Sequence, residues 1–571
     1  MKLRRVLIQN VRSFLDAQEL HLDGDISIVI GPNGGGKTNL LDTVVMTLRR
    51  HLLRSWVRRQ IGNPENPRLE MFEPNDAINN ARLERNVQAK SGLDQVVELE
   101  LEITKRDVEN IAMMRESVSR MLEFSKDKYA NHQVESINNW PRVEILPGDR
   151  FTFRVVNDQL QNPSSAAWQL VLNYLIQYEI DARLRDEMGE DPLSTPILSL
   201  PTSRAGGGFA SSVSLSSFNE YDHKKSVDIA TSRSGTSLAV LAVGRFATKY
   251  RLLLEKDTGG AMTEFLKDPQ VEQLTAALRR LGYEWALESA NPMQNSYDIR
   301  LKKQGSSFLV GDASSGEKEL LTYIFAVFGL NVRDALIIVD EPELHLHPRW
   351  QSALLALFEQ LARDTGNQFL LATHSPVFIS PASIRYVSRV FSDQQRSRIR
   401  RLDDASLPDR KHLFSIVNSQ NNERIFFTDR VVLVEGISDR MFFERVLAKF
   451  TSANKVPGDF EIVAVGGKGF FAAYTRLLRA CGVQHVIVAD LDYATDVGTD
   501  EVKKLFSVNP QKIKSNVIDV PTSTDAIALV NRLDDAIANG NIDDLKDLWA
   551  YIKSRQCGSI LGFATTSGQS C

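Results

Sequence analysis

A chain of 571 residues is too long for one ordinary hydrophobic core and predicts three or four folding units, at about 100–200 residues each. Charged residues at 25%, hydrophobic residues at 43% and a net charge of −4 fit a soluble globular protein; they exclude a strongly basic chain, so nucleic-acid contacts would come from local patches. Cys481, Cys557 and Cys571 have neither disulfide nor metal-ligand spacing, which fits a reducing cytoplasm, and the longest apolar run, "LLTYIFAVFGL", falls far short of a membrane span.

The N-terminal "MKLRRVLIQN" passes into a strand pattern, with no signal-peptide core. "ISIVI" predicts a buried strand, and "TNLLDTVVMTLRR" an amphipathic helix. Alternation in "DQVVELELEIT" and "RVEILPGDRFTFRVV" predicts half-buried strands, followed by a long helix in "AAWQLVLNYLIQYEIDARLRDEM". "SRAGGGFASSVSLSS" reads as a loop. Helices return from Met262, and "SYDIRLKKQG" reads as a hairpin arm. After Ser314 the order helix, "ALIIVD", helix, "FLLAT" is parallel α/β. Residues 396–427 form a basic, polar connector, and a second βαβ series starts at "VVLVE", continues through "FEIVAV" and reaches "HVIVADLD". No internal repeat is present.

"GPNGGGKT", Gly31 to Thr38, matches G-x-x-x-x-G-K-[ST] between a strand and a helix. Such a loop turns backbone N–H groups onto phosphates, with Asn33, Gly34, Gly36, Lys37, Thr38 and Asn39 as the nucleotide-binding candidates. Lys37 is placed for the β- and γ-phosphates of ATP and Thr38 for Mg2+. "ALIIVDEPE" ends a buried strand in Asp340, a metal ligand through water, and Glu341, which can polarise the attacking water. "FLLATHSP" ends another strand at Thr373 and His374, a possible γ-phosphate sensor. His345 and His347 in "HLHP" have no third ligand nearby, which argues against a metal pair.

"DASSGEKEL", just before that acidic strand, opens a helix with Ser-Ser-Gly-Glu, which taken alone is merely an N-cap. In its place in the order it resembles the signature motif of ABC-type ATPases of the RecF, SMC and OLD kind. That resemblance implies that Ser315 and Gly316 complete the ATP site of a second protomer, giving a homodimer through the ATPase heads. Lys37 and Ser315 lie nearly 280 residues apart, more than a compact ATPase needs, and the excess predicts an inserted, mainly helical arm or dimerisation element over residues 154–250.

The second series carries its own acids. Glu435 ends "VVLVE", Asp490 and Asp492 end "VIVADLD", and Asp439 rises from the helix between. Ends of neighbouring parallel strands open onto one crevice. Carboxylates crowded there repel one another unless a hard cation joins them, and oxygen ligands favour Mg2+ or Mn2+. Two such ions about 4 Å apart could clamp the attacking and leaving oxygens of a phosphodiester. For "DLD" alone, a polar turn is an equally good reading.

A glutamate strand end, a Gly-containing turn and a later D-x-D resemble the TOPRIM domain of topoisomerases, primases and some nucleases. The whole layout, an N-terminal ABC-type ATPase and a C-terminal TOPRIM domain, resembles the OLD (overcoming lysogenization defect) family of nucleases, which includes Gabija and retron-linked effectors. The resemblance implies an α/β chain: an ABC-type P-loop ATPase in residues 1–153 and 251–395, the insertion between them, the linker, and a Rossmann-like TOPRIM domain in residues 428–571. It implies Glu435, Asp439, Asp490 and Asp492 as metal ligands and a late catalytic lysine, for which Lys553 is the first choice and Lys546 and Lys514 are rivals. The segment "NVIDVPTSTDAIALVNRL" lacks the acidic stretch the pattern calls for; Asp519 and Asp525 are the substitutes at hand.

"RSRIRR" sets Arg396, Arg398 and Arg400 on one face of an extended segment, either to follow a phosphate backbone or to keep an edge strand soluble. "RSWVRRQ" has the same ambiguity. The leading expectation is a cytoplasmic, ATP-regulated, metal-dependent DNA endonuclease in phage defence, with a dimer or tetramer and a companion protein or reverse-transcribed nucleic acid as partners. The rival is a DNA-repair ATPase whose TOPRIM domain binds DNA and metal without cutting. A topoisomerase or primase fits less well, since neither a DNA-gate tyrosine domain nor a zinc module is recognisable.

Overall fold

The structure is a computed structural model. It describes residues 1–53, 57–61, 68–72, 83–89, 92–126, 135, 137–190, 193–200, 212–218, 238–256, 259–344, 346–380, 383–402, 407–418, 422–452 and 460–489. The chain divides into two units: Met1–Phe378 with Tyr386–Arg401, and Ile379–Arg385 with Leu402–Cys571.

In chain order, unit 1 contains β1 (Lys2–Gln9), β2 (Gln18–His21), β3 (Ile26–Ile30), α1 (Lys37–Thr47), β4 (Val96–Glu102), β5 (Arg150–Val156), α2 (Ala166–Met188), β6 (Ile197–Leu200) and α3 (Leu238–Lys256). It continues with β7 (Glu284–Asn291), β8 (Ser296–Lys303), α4 (Ser315–Gly329), β9 (Leu336–Asp340), α5 (Pro348–Thr365), β10 (Gln368–Ala372), β11 (Val387–Asp393) and β12 (Arg396–Arg401). The central sheet runs β12-β11-β3-β10-β9-β6. All neighbours pair in parallel except β12, which returns antiparallel on β11. Strands β3, β9 and β10 are buried along their whole length, so their sequences are continuous apolar runs rather than alternations.

A second, antiparallel sheet runs β2-β1-β4-β5. Here one face is polar, which explains the alternation in "VVELELE". Its glutamates are tied crosswise to arginines of the neighbouring strands: Arg5 to Glu98 at 3.0 Å, Arg4 to Glu102 at 2.8 Å, Arg150 to Glu102 at 3.0 Å and Arg154 to Glu98 at 3.4 Å. Hairpin β7–β8 belongs to a third sheet and pairs Glu284 with Lys302 at its base.

Elements α2 and β6 lie within the expected insertion. Trp168, Tyr174, Leu175 and Leu184 of α2 share one buried cluster with Val29, Leu336 and Leu370 of the central sheet, and β6 pairs with β9 in register. Helix α3 lies against α4 so closely that a Cβ on Gly329 would sit 2.4 Å from the Cβ of Ala242. Apolar periodicity shows that a helix has a buried face without showing what buries it. The start of the expected basic connector, Arg396–Arg401, forms an edge strand of the central sheet.

Unit 2 contains β13 (Arg430–Val434), α6 (Ile437–Ser452), β14 (Phe460–Ala464), α7 (Phe471–Cys481) and β15 (Gln484–Val488). Its sheet runs β14-β13-β15, all parallel, with Val434 opposite both Ala464 and Val488. The three strands therefore end level, at one edge.

Candidate functional site

The phosphate loop is shaped by its glycines. Gly31, Gly34 and Gly36 have φ of +145°, +75° and +112°, conformations that L side chains rarely adopt. Gly31 is also pinned from outside, since a Cβ there would lie 1.8 Å from the Val390 carbonyl oxygen of β11. Replacing Gly31 with alanine is expected to cost about 3 kcal/mol or more of stability, from strain and overlap together, read as a fall in Tm. Gly36 ends the loop and α1 starts at Lys37.

Lys37 is buried and donates to the carbonyls of Gly31 at 2.8 Å and Pro32 at 3.0 Å. Burial brings its amine down to about 8, although Asp340, Glu341 and Glu343 pull the other way. A phosphate against that nitrogen would favour the charged form further. Thr38, Asn33 and Gly34 are exposed, open to an incoming nucleotide. Asn39 is half-buried, and its amide donates to Ser13 Oγ at 2.8 Å. Ser397 of β12 closes the same corner, its Oγ donating to the Gly35 carbonyl at 2.6 Å and lying 2.7 Å from Ser13 Oγ. Nothing in the sequence marks Ser397, which lies among the arginines of "RSRIRR", as part of this corner.

Asp340, buried, ends β9 beside the end of β10. Glu341 takes φ of +47° and donates its N–H to the Ala372 carbonyl at 2.8 Å, which turns the chain sharply after the strand. Its carboxylate lies 3.7 Å from His374 Nε2. Burial, helped by the Lys37 charge, brings the His374 imidazole down to about 4, so this contact is not an ion pair near neutral pH. A lowered histidine takes its proton only as pH falls through about 4. ATP turnover should therefore show no inflection from His374 between about pH 5.5 and 7.5, and H374A should lower the rate without changing the profile in that window.

Glu343 is a third acid here, visible in "DEPE" but given no role at the sequence level. Its Oε1 accepts the His374 N–H at 2.7 Å, and burial pushes its carboxyl up. It ties the turn after β9 to the turn after β10, so Glu341 and His374 are held as a pair.

The signature segment opens α4 at Ser315, with Ser314 as N-cap. Ser314 Oγ and Glu317 form a reciprocal capping box. Glu317 is also engaged from outside the helix: Tyr283 donates to its Oε1, and Lys303 Nζ lies 3.3 Å from the same oxygen. These bonds hold its carboxyl at about 2, against the opposing effect of burial. No sequence signal pairs Lys303 with Glu317.

In unit 2, Glu435 follows the last residue of the central strand β13. Its carbonyl accepts from Gly466 N at 3.0 Å and Gly467 N at 3.1 Å, which ties the glutamate turn to the Gly-Gly-Lys-Gly turn after β14. Gly466 and Gly467 have φ of +83° and +127°. Asp439, in the first turn of α6, accepts the Gly436 N–H at 2.9 Å through Oδ2. Glu435 and Asp439 are thus brought to one turn, and their oxygens suit a hard divalent cation. Among the described residues no third His, Cys, Asp or Glu joins them as a metal-holding group. Asp490, Asp492, Lys553, Lys546, Lys514, Asp519 and Asp525 lie outside the described residues, as does His345.

The arginine row is engaged by the protein itself. Arg396 and Arg398 both face Asp16, at 3.6 and 2.7 Å, and Arg401 pairs with Asp23. The edge-strand reading of "RSRIRR" fits this placement. The side chains of "RSWVRRQ" lie outside the described residues. No described helix is long and apolar enough to cross a membrane.

Three family models match the chain. Residues 5–150 match an AAA domain; residues 196–380 match "AAA domain, putative AbiEii toxin, Type IV TA system". Residues 426–492 match "Overcoming lysogenization defect protein-like, TOPRIM domain", which covers Glu435, Asp439, Asp490 and Asp492. The chain is thus similar to OLD-family proteins in its C-terminal part. Similar proteins include Endonuclease GajA of Bacillus cereus (strain VD045), 30% identical over 217 residues, 37% of this chain and 36% of that one. The Old nuclease of Escherichia phage P2 is 28% identical over 196 residues, 33% of this chain and 32% of that one. The OLD nuclease of Thermus scotoductus (strain ATCC 700910 / SA-01) is 27% identical over 236 residues, 39% of this chain and 43% of that one. The matches thus span between about a third and two fifths of each relative's length. The chain is an α/β protein whose matches join AAA-domain segments to an OLD-like TOPRIM domain.

Proposed function

We propose that this chain is an ATP-regulated, divalent-metal-dependent DNA endonuclease of antiphage defence, acting in the cytoplasm. The observation that carries the reading is Glu435 at the carboxyl end of the central strand of a parallel sheet, tied to the glycine turn of the next strand and accompanied by Asp439. Residues Met1–Arg401 would serve chiefly as the ATPase and residues 428–571 as the nuclease. Glu435, Asp439, Asp490 and Asp492 would hold Mg2+ or Mn2+. When bound, such ions supply a nucleophile at neutral pH and charge for the scissile phosphate. Lys553 would stabilise the developing negative charge.

In the ATPase, Lys37 would bind the phosphates, Thr38 and Asp340 would hold Mg2+, Glu341 would polarise water, and His374 would report on the γ-phosphate. Ser315 and Gly316 of a second copy would close the site, giving a homodimer and, by joining of dimers, a tetramer. A companion protein or reverse-transcribed nucleic acid would supply the trigger.

The test is supercoiled plasmid incubated with the full chain, with Mg2+ or Mn2+, with and without ATP, and with EDTA. Nicking or linearisation that needs metal is expected, with its rate altered by ATP. ATP turnover without cutting under any of these metals would instead favour a repair-type ATPase.

A further inference from the structure

We infer that Lys303 and Tyr283 are positioning residues for ATP-driven pairing of two chains: they hold Glu317 and neutralise it, so that the start of α4 can receive the anionic γ-phosphate carried by the other copy. This rests on the two-headed ATP site proposed above.

The start of α4 has two competing requirements. Its capping box needs a carboxylate: Glu317 Oε2 accepts from Ser314 Oγ at 2.7 Å and from Ser314 N at 3.2 Å. A phosphate docking on the same first turn would be repelled by that carboxylate, within the reach of unscreened charge. The fold answers with a cation from elsewhere. Lys303 Nζ lies 3.3 Å from Glu317 Oε1 and donates to Tyr283 Oη at 2.9 Å, while Tyr283 donates to Glu317. The ammonium also rests 4.2 Å from the Tyr283 ring centroid and 5.5 Å from that of Trp350, which lies in the first turn of α5. Tyr283 is almost wholly buried, and the Lys303 and Glu317 side chains are 24% and 19% exposed, so water screens the pair only in part.

Hairpin register explains how these residues meet. Glu284 pairs with Lys302, so Tyr283 and Lys303 emerge together at the hairpin base, where the capping box begins. Three segments 14 to 34 residues apart are joined at the turn the reading assigns to the partner's phosphate.

The experiment uses the full chain with Glu341→Gln as parent, so that ATP is held rather than consumed. ATP-dependent self-association is followed by sedimentation velocity in Mg2+, ATP binding to the single chain by calorimetry, and Tm separately. K303M should weaken association about tenfold, the size of one uncompensated partly buried charge, with ATP binding by the single chain changed less than about twofold. K303R should associate like the parent, and E317Q combined with K303M should recover to within about threefold, because the uncompensated charge is gone. If K303M melts early, Y283F, which removes one hydroxyl, should give about a threefold loss. Parent-like association of K303M or Y283F overturns the inference. So does a double variant as weak as K303M at unchanged Tm. A parent that binds ATP and never self-associates refutes the two-headed site itself, and this role with it.

Discussion

Glu435→Ala is expected to abolish DNA cleavage, by about a thousandfold or more, while ATP turnover stays near that of the unaltered chain. Glu435 follows β13 directly, and its backbone carbonyl anchors the Gly466–Gly467 turn at 3.0 and 3.1 Å. Alanine keeps that backbone contact and removes only the carboxylate. The turn should therefore persist and the loss should be chemical. A thousandfold is about 4 kcal/mol of transition-state stabilisation, within what a bound divalent ion supplies to phosphoryl chemistry. The measurement is nicking of supercoiled plasmid in Mg2+ and in Mn2+, with phosphate release assayed in parallel. Cutting by the alanine variant at the unaltered rate would remove this residue from the nuclease site.

Glu341→Gln should slow ATP hydrolysis by about a hundred- to a thousandfold while leaving ATP binding intact. The amide matches the carboxylate in shape and keeps the backbone turn, with φ of +47° and the bond to the Ala372 carbonyl. What it loses is the charge that can polarise water. Lys37 keeps its two loop carbonyls and Asp340 is untouched, so the nucleotide should stay bound and the paired state should accumulate. Single-turnover hydrolysis and calorimetry separate the two effects. An amide variant that turns over at the normal rate would move the water-polarising role elsewhere, with Glu343 an alternative: it is half-buried, and its carboxyl is pushed up toward the protonated form. Glutamine at Glu341 should change the control of DNA cutting, while alanine at Glu435 should end it, so the pair separates regulation from chemistry.

Much of this was legible along the chain because the chemistry is local. Lys37 sits at the end of its own glycine loop, and Asp340 and Glu341 at the end of their own strand. Glu435 and Asp439 share one turn, and "SSGE" is a capping box within four residues. A buried parallel strand followed by an acid can be read without knowing its neighbours. The order of five such segments sufficed to infer an ATPase joined to a TOPRIM domain.

Other features were settled only by tertiary contacts. The stretch Arg154–Tyr250 could be counted as surplus length, yet α2 packs into the central core and β6 pairs with β9, because an apolar helix face carries no address for its partner. "RSRIRR" showed a row of charge, but Asp16 and Asp23, nearly 380 residues earlier, decide that much of this charge is spent within the protein. Lys303 was an unremarked residue at a strand end until the hairpin register set it beside Glu317. Sequence determined which groups can do chemistry and in what order they come. The folded chain alone decided which distant charges face one another, because electrostatic pairing depends on separation in space and leaves no periodic mark along the backbone.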